Sequence, residues 1–110
     1  MTFAHDPLDA HPDFALRGRT VVDTNHTEVG TITDVVYDDV NSSPTWAIVK
    51  TGALRGERYM PLADTYVSDD GRLVAPFDKA SVKGAPKAGR DHVVTPDIAR
   101  ELQEYYGRAA

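Results

Sequence analysis

Residues 29–51, VGTITDVVYDDVNSSPTWAIVKT, constrain the fold more than any other stretch of this 110-residue chain. An apolar, β-branched strand runs through Tyr37, a polar turn covers residues 38–45, and a second strand covers residues 46–51. This order of strand, Asn-Ser-Ser-Pro turn and aromatic strand predicts a β-hairpin. Because the first four residues of the second strand are all apolar, we expect that strand to be central and covered on both faces.

Within the first hairpin strand, the alternation of apolar residues between the two faces shifts by one position. Ile32 fits one face of a strand, whereas Val35 and Tyr37 fit the other face. A β-bulge near Thr33 and Asp34 would bring all three apolar side chains to one side and would increase the curl of the strand. Strong curl is required to close a small barrel.

Other short β-like segments flank the hairpin. Residues 16–23 precede it, and residues 58–62, 65–68 and 72–75 follow it. Pro61 cannot donate to a sheet, so its strand should be an edge or should end there. The polar turn at 23–28 contains His26, which tolerates left-handed backbone, and Asp69-Asp70-Gly71 predicts a tight hairpin. About six short strands with this spacing predict a mainly β fold, a small barrel or sandwich.

The last third of the chain is predicted to contain a single helix. Residues 76–90 hold two Pro and two Gly, so we expect a strand or turn at 80–82 and then a loop. Thr95 is a plausible N-cap, Pro96 suits the first helical position, and Gly107 is placed to end the helix as a C′ residue. The predicted organisation is an extended arm at 1–14, a β domain at 15–84, a loop at 85–94 and a helix at 95–107.

Several short motifs occur in an order that resembles the PRC-barrel domain family, named after the photosynthetic reaction centre H subunit. They are Gly18 with Val21-Val22-Asp23, then Val29-Gly30-x-Ile32-x-Asp34-Val35, Trp46-Ala47-Ile48-Val49, Pro61-Leu62 and Val74-x-Pro76-Phe77-Asp78-Lys79. The tail from Thr95-Pro96 to Tyr105-Tyr106-Gly107 is similar to that of short stand-alone bacterial members. The resemblance implies a curled six-stranded barrel that contacts proteins and catalyses no reaction. Asn25-His26 departs from the Asp-Gly-like turn of many members.

Charge and composition exclude some classes of function. The net charge is −5. Residues 1–41 carry eight acids and two bases, and residues 42–110 carry nine acids and ten bases, so the acidic half opposes broad binding to nucleic acids or anionic membranes. There is no cysteine, which fits a reducing cytoplasm. No signal peptide and no membrane span are predicted.

No pattern of catalytic residues stands out. His5-Asp6 and His11-x-Asp13 could supply metal ligands, but they lie in the predicted arm, where nothing holds them at fixed spacing. Asp38-Asp39 and Asp69-Asp70 fall in predicted turns, where Asp is favoured by its own backbone hydrogen bonds. We therefore assign no catalytic, cofactor-binding or metal-binding residue. A metal- or ligand-dependent small enzyme remains a minor alternative.

Two sets of surface residues remain as candidates for binding. A barrel this small cannot enclose every aromatic side chain, and aromatic residues are enriched at interfaces. The candidate contacts with a protein partner, or with a second copy in a homodimer, are Tyr37, Tyr59, Tyr66 and Tyr106. The alternative function is a ribosome- or RNA-associated factor that uses a basic loop, Lys79, Lys83, Lys87 and Arg90. That loop has no interleaved aromatic residue of the kind single-strand binders use.

Overall fold

The structure is a computed structural model that describes residues 16–37, 44–52 and 56–109. The predicted arm and the tip of the long hairpin lie outside these ranges. Within them the chain forms six strands followed by two helices. They are β1 (Thr20–Val22), β2 (Glu28–Tyr37), β3 (Pro44–Lys50), β4 (Glu57–Pro61), β5 (Tyr66–Val67), β6 (Leu73–Val74), α1 (Lys79–Lys83) and α2 (Pro96–Ala109).

The six strands form one sheet in the order β4-β3-β2-β1-β6-β5. All neighbouring pairs are antiparallel except β1 and β6, which are parallel. The mainly β prediction is confirmed, but β4 and β5 stay unpaired with each other in the described part of the chain, so the sheet does not close into the predicted barrel. The reason lies at β4, where Arg58 forms a bridge with Lys87 and the Glu57 carbonyl accepts a hydrogen bond from the Ala88 amide.

The predicted bulge in β2 is confirmed. Ile32 pairs with Val49 and Asp34 pairs with Ile48, so Thr33 is the extra residue. The insertion lets both Ile32 and Val35 enter the core. β3 lies between β2 and β4, and its residues 46–49 are all buried, as the continuous apolar run predicts.

The two predicted tight turns are also present. His26 adopts a φ of 65° between β1 and β2, and the Asp23 carboxylate accepts hydrogen bonds from the amides of Asn25 and Thr27. Gly71 adopts a φ of 87° between β5 and β6, a conformation that favours glycine. These turns set the ends of β1 and of the β5–β6 hairpin.

The helix α1 corrects the predicted strand or turn at 80–82. Asp78 caps its first turn, because its carboxylate accepts a hydrogen bond from the Ser81 amide at 2.8 Å. Gly84 follows its last residue, and Val82 is buried in the core. The capping residue and one buried side chain suffice for a single helical turn, although the proline and glycine content excludes a longer helix.

The helix α2 begins as predicted and ends later. The Thr95 hydroxyl accepts a hydrogen bond from the Ile98 amide at 3.2 Å, which confirms the N-cap. Gly107 lies inside the helix and does not take the positive φ of a C′ glycine, so its predicted role as the end of the helix is wrong. Leu102 and Tyr106 on this helix are buried against the sheet.

Candidate functional site

A groove with a volume of about 440 Å³ lies between the paired ends of β2 and β3 and the start of α2. Its walls combine apolar side chains with three polar ones. The lining residues are Val36, Tyr37, Thr45, Trp46, His92, Val93, Val94, Ala99 and Gln103. The groove is partly open to solvent and is not an enclosed cavity.

Apolar surface in this groove reaches solvent. The Val93 side chain is 49% exposed, and it is one of two large hydrophobic residues that are exposed in the described part of the chain. Val36, Tyr37 and Val94 are half-buried and pack against the core from the groove side. The groove therefore presents a ready-made apolar surface that the fold itself leaves partly uncovered.

One wall of the groove belongs to residues 84–95, here called the strap, which connect α1 to α2. The strap runs beside β4, where the Ala88 amide donates to the Glu57 carbonyl at 2.9 Å. The Tyr59 hydroxyl donates to the Val93 carbonyl at 2.7 Å and accepts from the Gly89 amide at 3.4 Å. These contacts hold the strap along the edge strand and bring Val93 to the rim of the groove.

His92 is the strongest polar attachment of the strap. Its Nδ1 lies 2.7 Å from Asp34 Oδ2, and its Nε2 lies 2.8 Å from Glu57 Oε1. Asp34 is on β2 directly after the bulged Thr33, and Glu57 is the first residue of β4. The backbone of His92 has a φ of 55°, a left-handed conformation that a residue other than glycine rarely takes. The bulge thus aims one carboxylate at the ring, and the start of the edge strand supplies the other.

The remaining oxygens of the two carboxylates are also engaged. Asp34 Oδ1 lies 2.7 Å from Arg17 Nη2 and accepts a hydrogen bond from the Val35 amide at 2.9 Å. The Thr33 hydroxyl donates to Glu57 Oε2 at 2.6 Å. This arrangement forms one continuous polar network, in which an imidazole ring joins two strands.

The network shifts the pKa of all three ionisable groups at its centre. The hydrogen bond to Asp34 is the main cause that raises the pKa of His92, and burial partly opposes it. Burial raises the pKa of Asp34, but hydrogen bonds from His92 and the Val35 amide outweigh it and leave that pKa lowered. The hydrogen bond from Thr33 is the main cause that lowers the pKa of Glu57. All three shifts favour an imidazolium between two carboxylates.

The geometry argues for attachment rather than chemistry. Both ring nitrogens of His92 already face carboxylates, so neither is directed at a substrate as a general base requires. Asp34 and Glu57 lie at opposite edges of the ring, so one metal ion cannot contact both together with the imidazole. Across the described ranges no group of three or more His, Cys, Asp or Glu is arranged to hold a metal ion.

The four predicted tyrosine contacts fall into two groups. Tyr37 lines the groove, and Tyr66 on β5 is 53% exposed, so both remain predictions for contact with a partner. Tyr59 and Tyr106 are buried in the core, which corrects their prediction as surface contacts. Tyr106 packs edge-on against Phe77 with ring centroids 4.7 Å apart, because α2 turns this side chain inward.

The predicted basic loop is divided between two elements. Lys79 and Lys83 lie four residues apart on α1, whereas Lys87 and Arg90 lie on the strap. The bridge between Lys87 and Arg58 places that part of the strap at the edge of the sheet. A role of these residues in binding RNA stays a prediction.

The remaining candidates are the histidines and acids of the predicted arm and the two pairs of adjacent Asp in predicted turns. His5, Asp6, His11, Asp13, Asp38 and Asp39 lie outside the described residues. Asp69 and Asp70 are exposed in the β5–β6 turn. There the Asp70 carboxylate accepts from the Ser68 hydroxyl and from the Arg72 amide, as expected for an Asp that stabilises a turn.

The network around His92 was not predicted from the sequence. Asp34 and Glu57 carried a weak signal, because each is a carboxylate in or beside an otherwise apolar strand. His92 lies in a stretch without periodicity, 58 residues from Asp34. Only the path of the strap across the sheet brings the three side chains together.

The structure therefore defines a small mainly β domain to which a C-terminal strap and helix are attached. The PRC-barrel domain family matches residues 10–82. The chain belongs to the PRC-barrel domain family, as its sequence motifs indicated. No curated protein matches the chain. The match contains Asp34 and Glu57, whereas His92 and the whole of α2 lie beyond its end.

None of the helices in residues 16–37, 44–52 and 56–109 is long and apolar enough to cross a membrane.

Proposed function

We propose that this PRC-barrel domain is a non-catalytic protein-binding module, and that its groove takes an apolar segment of another protein flanked by basic residues. The observation that carries this proposal is the groove itself, with Val93 half exposed on its rim and Tyr37 in its wall. Apolar surface that a fold leaves uncovered within a concave site is typical of an interaction site.

The apolar character of the groove supports a protein segment as its occupant. Val36, Tyr37 and Val94 can bury the anchor side chains of a partner, and such anchors carry most of the energy of protein interfaces. The side-chain amide of Gln103 can pair with the main chain of the same segment.

Charge supports a basic flank on the partner. The exposed Asp91 directly precedes the groove residue His92. The whole chain carries a net charge of −5. Complementary charge of this kind steers a partner to the site and selects against acidic competitors.

The absence of a catalytic role is part of the proposal and rests on the polar network. Both ring nitrogens of His92 lie within hydrogen-bond distance of the carboxylates of Asp34 and Glu57. The ring of His92 is therefore not available to a ligand in the groove as a general base. A cytoplasmic location accords with the lack of cysteine.

A library of displayed random peptides is a suitable probe because the natural partner is unidentified. Selection on the wild-type protein should enrich peptides with an aromatic or aliphatic anchor next to Lys or Arg. Fluorescence anisotropy of a selected peptide should then show that Val93→Glu weakens binding by at least about tenfold, since it places a charge at the apolar rim.

Tyr66→Ser is the matched control, because it removes the other exposed large hydrophobic side chain of the described residues, on β5. It should leave the affinity for the selected peptide unchanged. If Tyr66→Ser weakens binding and Val93→Glu does not, the contact surface is the β5 edge and the groove proposal is wrong. If no selected peptide responds to Val93→Glu, the proposal also fails.

A second copy of the chain is the competing occupant. Light scattering coupled to size exclusion distinguishes it, because a dimer formed through the groove would dissociate in Val93→Glu. Such a dimer would contradict the proposal that a different protein occupies the groove, although the groove would still be the site of contact.

A further inference from the structure

We propose that Asp34, His92 and Glu57 form a pH-dependent clamp, which fastens the strap to the sheet while His92 is protonated and loosens it when the ring loses its proton. The proposal rests on the contacts of His92 alone and does not require the groove to bind a protein. The clamp and the proposed function can therefore fail independently.

The clamp needs both ring protons. Each ring nitrogen of His92 lies within 2.8 Å of a carboxylate oxygen, and a carboxylate only accepts hydrogen bonds. Imidazolium donates from both nitrogens, whereas neutral imidazole donates from one. Loss of the proton therefore leaves a ring lone pair facing a carboxylate, and one strand loses its bond to the strap.

Because of where His92 lies, loss of this hydrogen bond should loosen the strap. Its left-handed backbone, with a φ of 55°, is a conformation that the surrounding contacts must maintain. The nearest other attachments of the strap are hydrogen bonds to β4. The Tyr59 hydroxyl donates to the Val93 carbonyl and accepts from the Gly89 amide, and the Ala88 amide donates to the Glu57 carbonyl. The only strap contact with β2 among these is the one through His92.

The groups around the ring leave His92 as the residue that changes charge near neutrality. Asp34 faces it from β2 and Glu57 from β4, and Arg17, just before β1, pairs with Asp34 from the far side. On the strap itself Asp91 is the adjacent acid. Burial is the main cause that raises the pKa of Tyr59, the nearby phenol on β4, so this group stays uncharged at neutral pH.

The direction of the effect follows from these pKa shifts. The pKa of His92 is raised in the folded protein, above the ordinary value of 6.5. Its contribution to strap attachment is therefore complete below that ordinary value and is lost as the pH rises through the folded pKa. The pKa values of Asp34 and Glu57 are lowered, so both carboxylates remain charged throughout that range.

Two independent measurements test the clamp. One follows the titration of the His92 ring, and the other follows the protection of amides in the strap. A nuclear magnetic resonance titration of the imidazole in the full chain should give a pKa above 6.5. Native-state hydrogen exchange, corrected for intrinsic rates, should show that the protection of the Ala88 amide falls by up to about tenfold per unit of pH between 6.5 and the folded pKa of His92, and that it levels off above that pKa. Core amides such as that of Ile48 should not follow this dependence.

Two matched variants isolate the ring. His92→Asn removes the titrating group while keeping a residue that tolerates left-handed backbone. In this variant, Ala88 protection should be low at about pH 6 and should not fall further at about pH 8. His26→Asn is the control, since His26 also has a positive φ, of 65°, but lies in an exposed turn. It should behave as the wild type does.

A further variant keeps the ring if His92→Asn does not fold. Glu57→Gln removes one carboxylate charge at nearly constant shape, and it should lower the measured pKa of His92 and reduce the pH dependence of Ala88 protection. The proposal is overturned if the wild-type ring titrates at or below 6.5. It is equally overturned if strap protection does not change between about pH 6 and about pH 8, or if His92→Asn retains the wild-type dependence.

Discussion

The hydroxyl of Tyr106 on α2 donates a hydrogen bond to the main-chain carbonyl of Tyr59 on β4. The two residues are 47 positions apart in the chain, and both side chains are buried. This bond fixes the last turns of the helix to the edge strand of the sheet. The C-terminal helix is thereby part of the core rather than an appendage.

Removing that hydroxyl should destabilise the fold measurably. We expect Tyr106→Phe to lower the free energy of unfolding by about 1–2 kcal/mol, because a buried carbonyl loses a donor while the ring keeps its packing on Phe77. Urea titration followed by circular dichroism measures the change. Tyr105→Phe is the control, since its hydroxyl bonds the Ser81 carbonyl in a half-buried position, and it should cost about 0.5 kcal/mol. Equal losses in the two variants would contradict this assignment.

Gly30 in β2 should tolerate no side chain. A Cβ there would lie 2.4 Å from the Lys50 carbonyl oxygen and 2.8 Å from Val49 Cγ1. Because the first of these atoms belongs to the backbone of the paired strand, Gly30→Ala should destabilise the protein by about 2–3 kcal/mol. The midpoint of urea unfolding measures this loss.

Gly107 provides the opposite case for the same substitution. A Cβ at Gly107 would meet nothing within 4 Å, and the residue lies inside α2. Gly107→Ala should therefore stabilise the protein by about 0.5–1 kcal/mol, as alanine does in a helix interior. A loss of stability here would mean that the helix does not continue through Gly107.

Local sequence patterns were sufficient to predict the curled hairpin. The mismatch in apolar phase between Ile32 and Val35 can be resolved only by an extra residue, and the structure places that residue at Thr33. The left-handed turn at His26 and the glycine turn at Gly71 were predicted from residue type. Each of these features depends on residues that are close together in the chain, so the local sequence is enough to predict it.

Features that depend on distant contacts were not predicted. The free edge of β4 is occupied by the strap instead of β5, and no local pattern distinguishes these two partners. The pairing of His92 with Asp34 depends on where the strap crosses β2. Tyr106 was misassigned to the surface because the apolar stripe of Ile98 and Leu102 can continue at Tyr105 or at Tyr106, and the spacing was interpreted in favour of Tyr105.

Acid should weaken the fold through the carboxylates of the clamp. The pKa values of Asp34 and Glu57 lie below their unfolded values of 3.8 and 4.5. Their contribution is thus present above those values and is lost as the pH falls through the folded pKa. Between about pH 5.5 and about pH 3, wild type should lose more unfolding free energy than Asp34→Asn, because the variant has one such carboxylate fewer.

Urea midpoints measured across this range provide the test. The control is Asp64→Asn, which changes an exposed acid that also has positive φ, of 64°, and it should retain the acid sensitivity of the wild type. An identical acid loss in Asp34→Asn and wild type would remove Asp34 from the list of groups that cause it.

The helix beyond the family match should be essential to stability. Leu102 on α2 is fully buried in the same core as β3 and β4, although the PRC-barrel match ends at residue 82. Leu102→Ala should reduce the free energy of unfolding by about 2–5 kcal/mol, because it removes buried methyl groups and leaves a cavity. Glu101→Ala, at the adjacent exposed position, should change it by less than about 0.5 kcal/mol. If Leu102→Ala were as mild as Glu101→Ala, α2 would not share the core, and the groove between α2 and the sheet would lose its second wall.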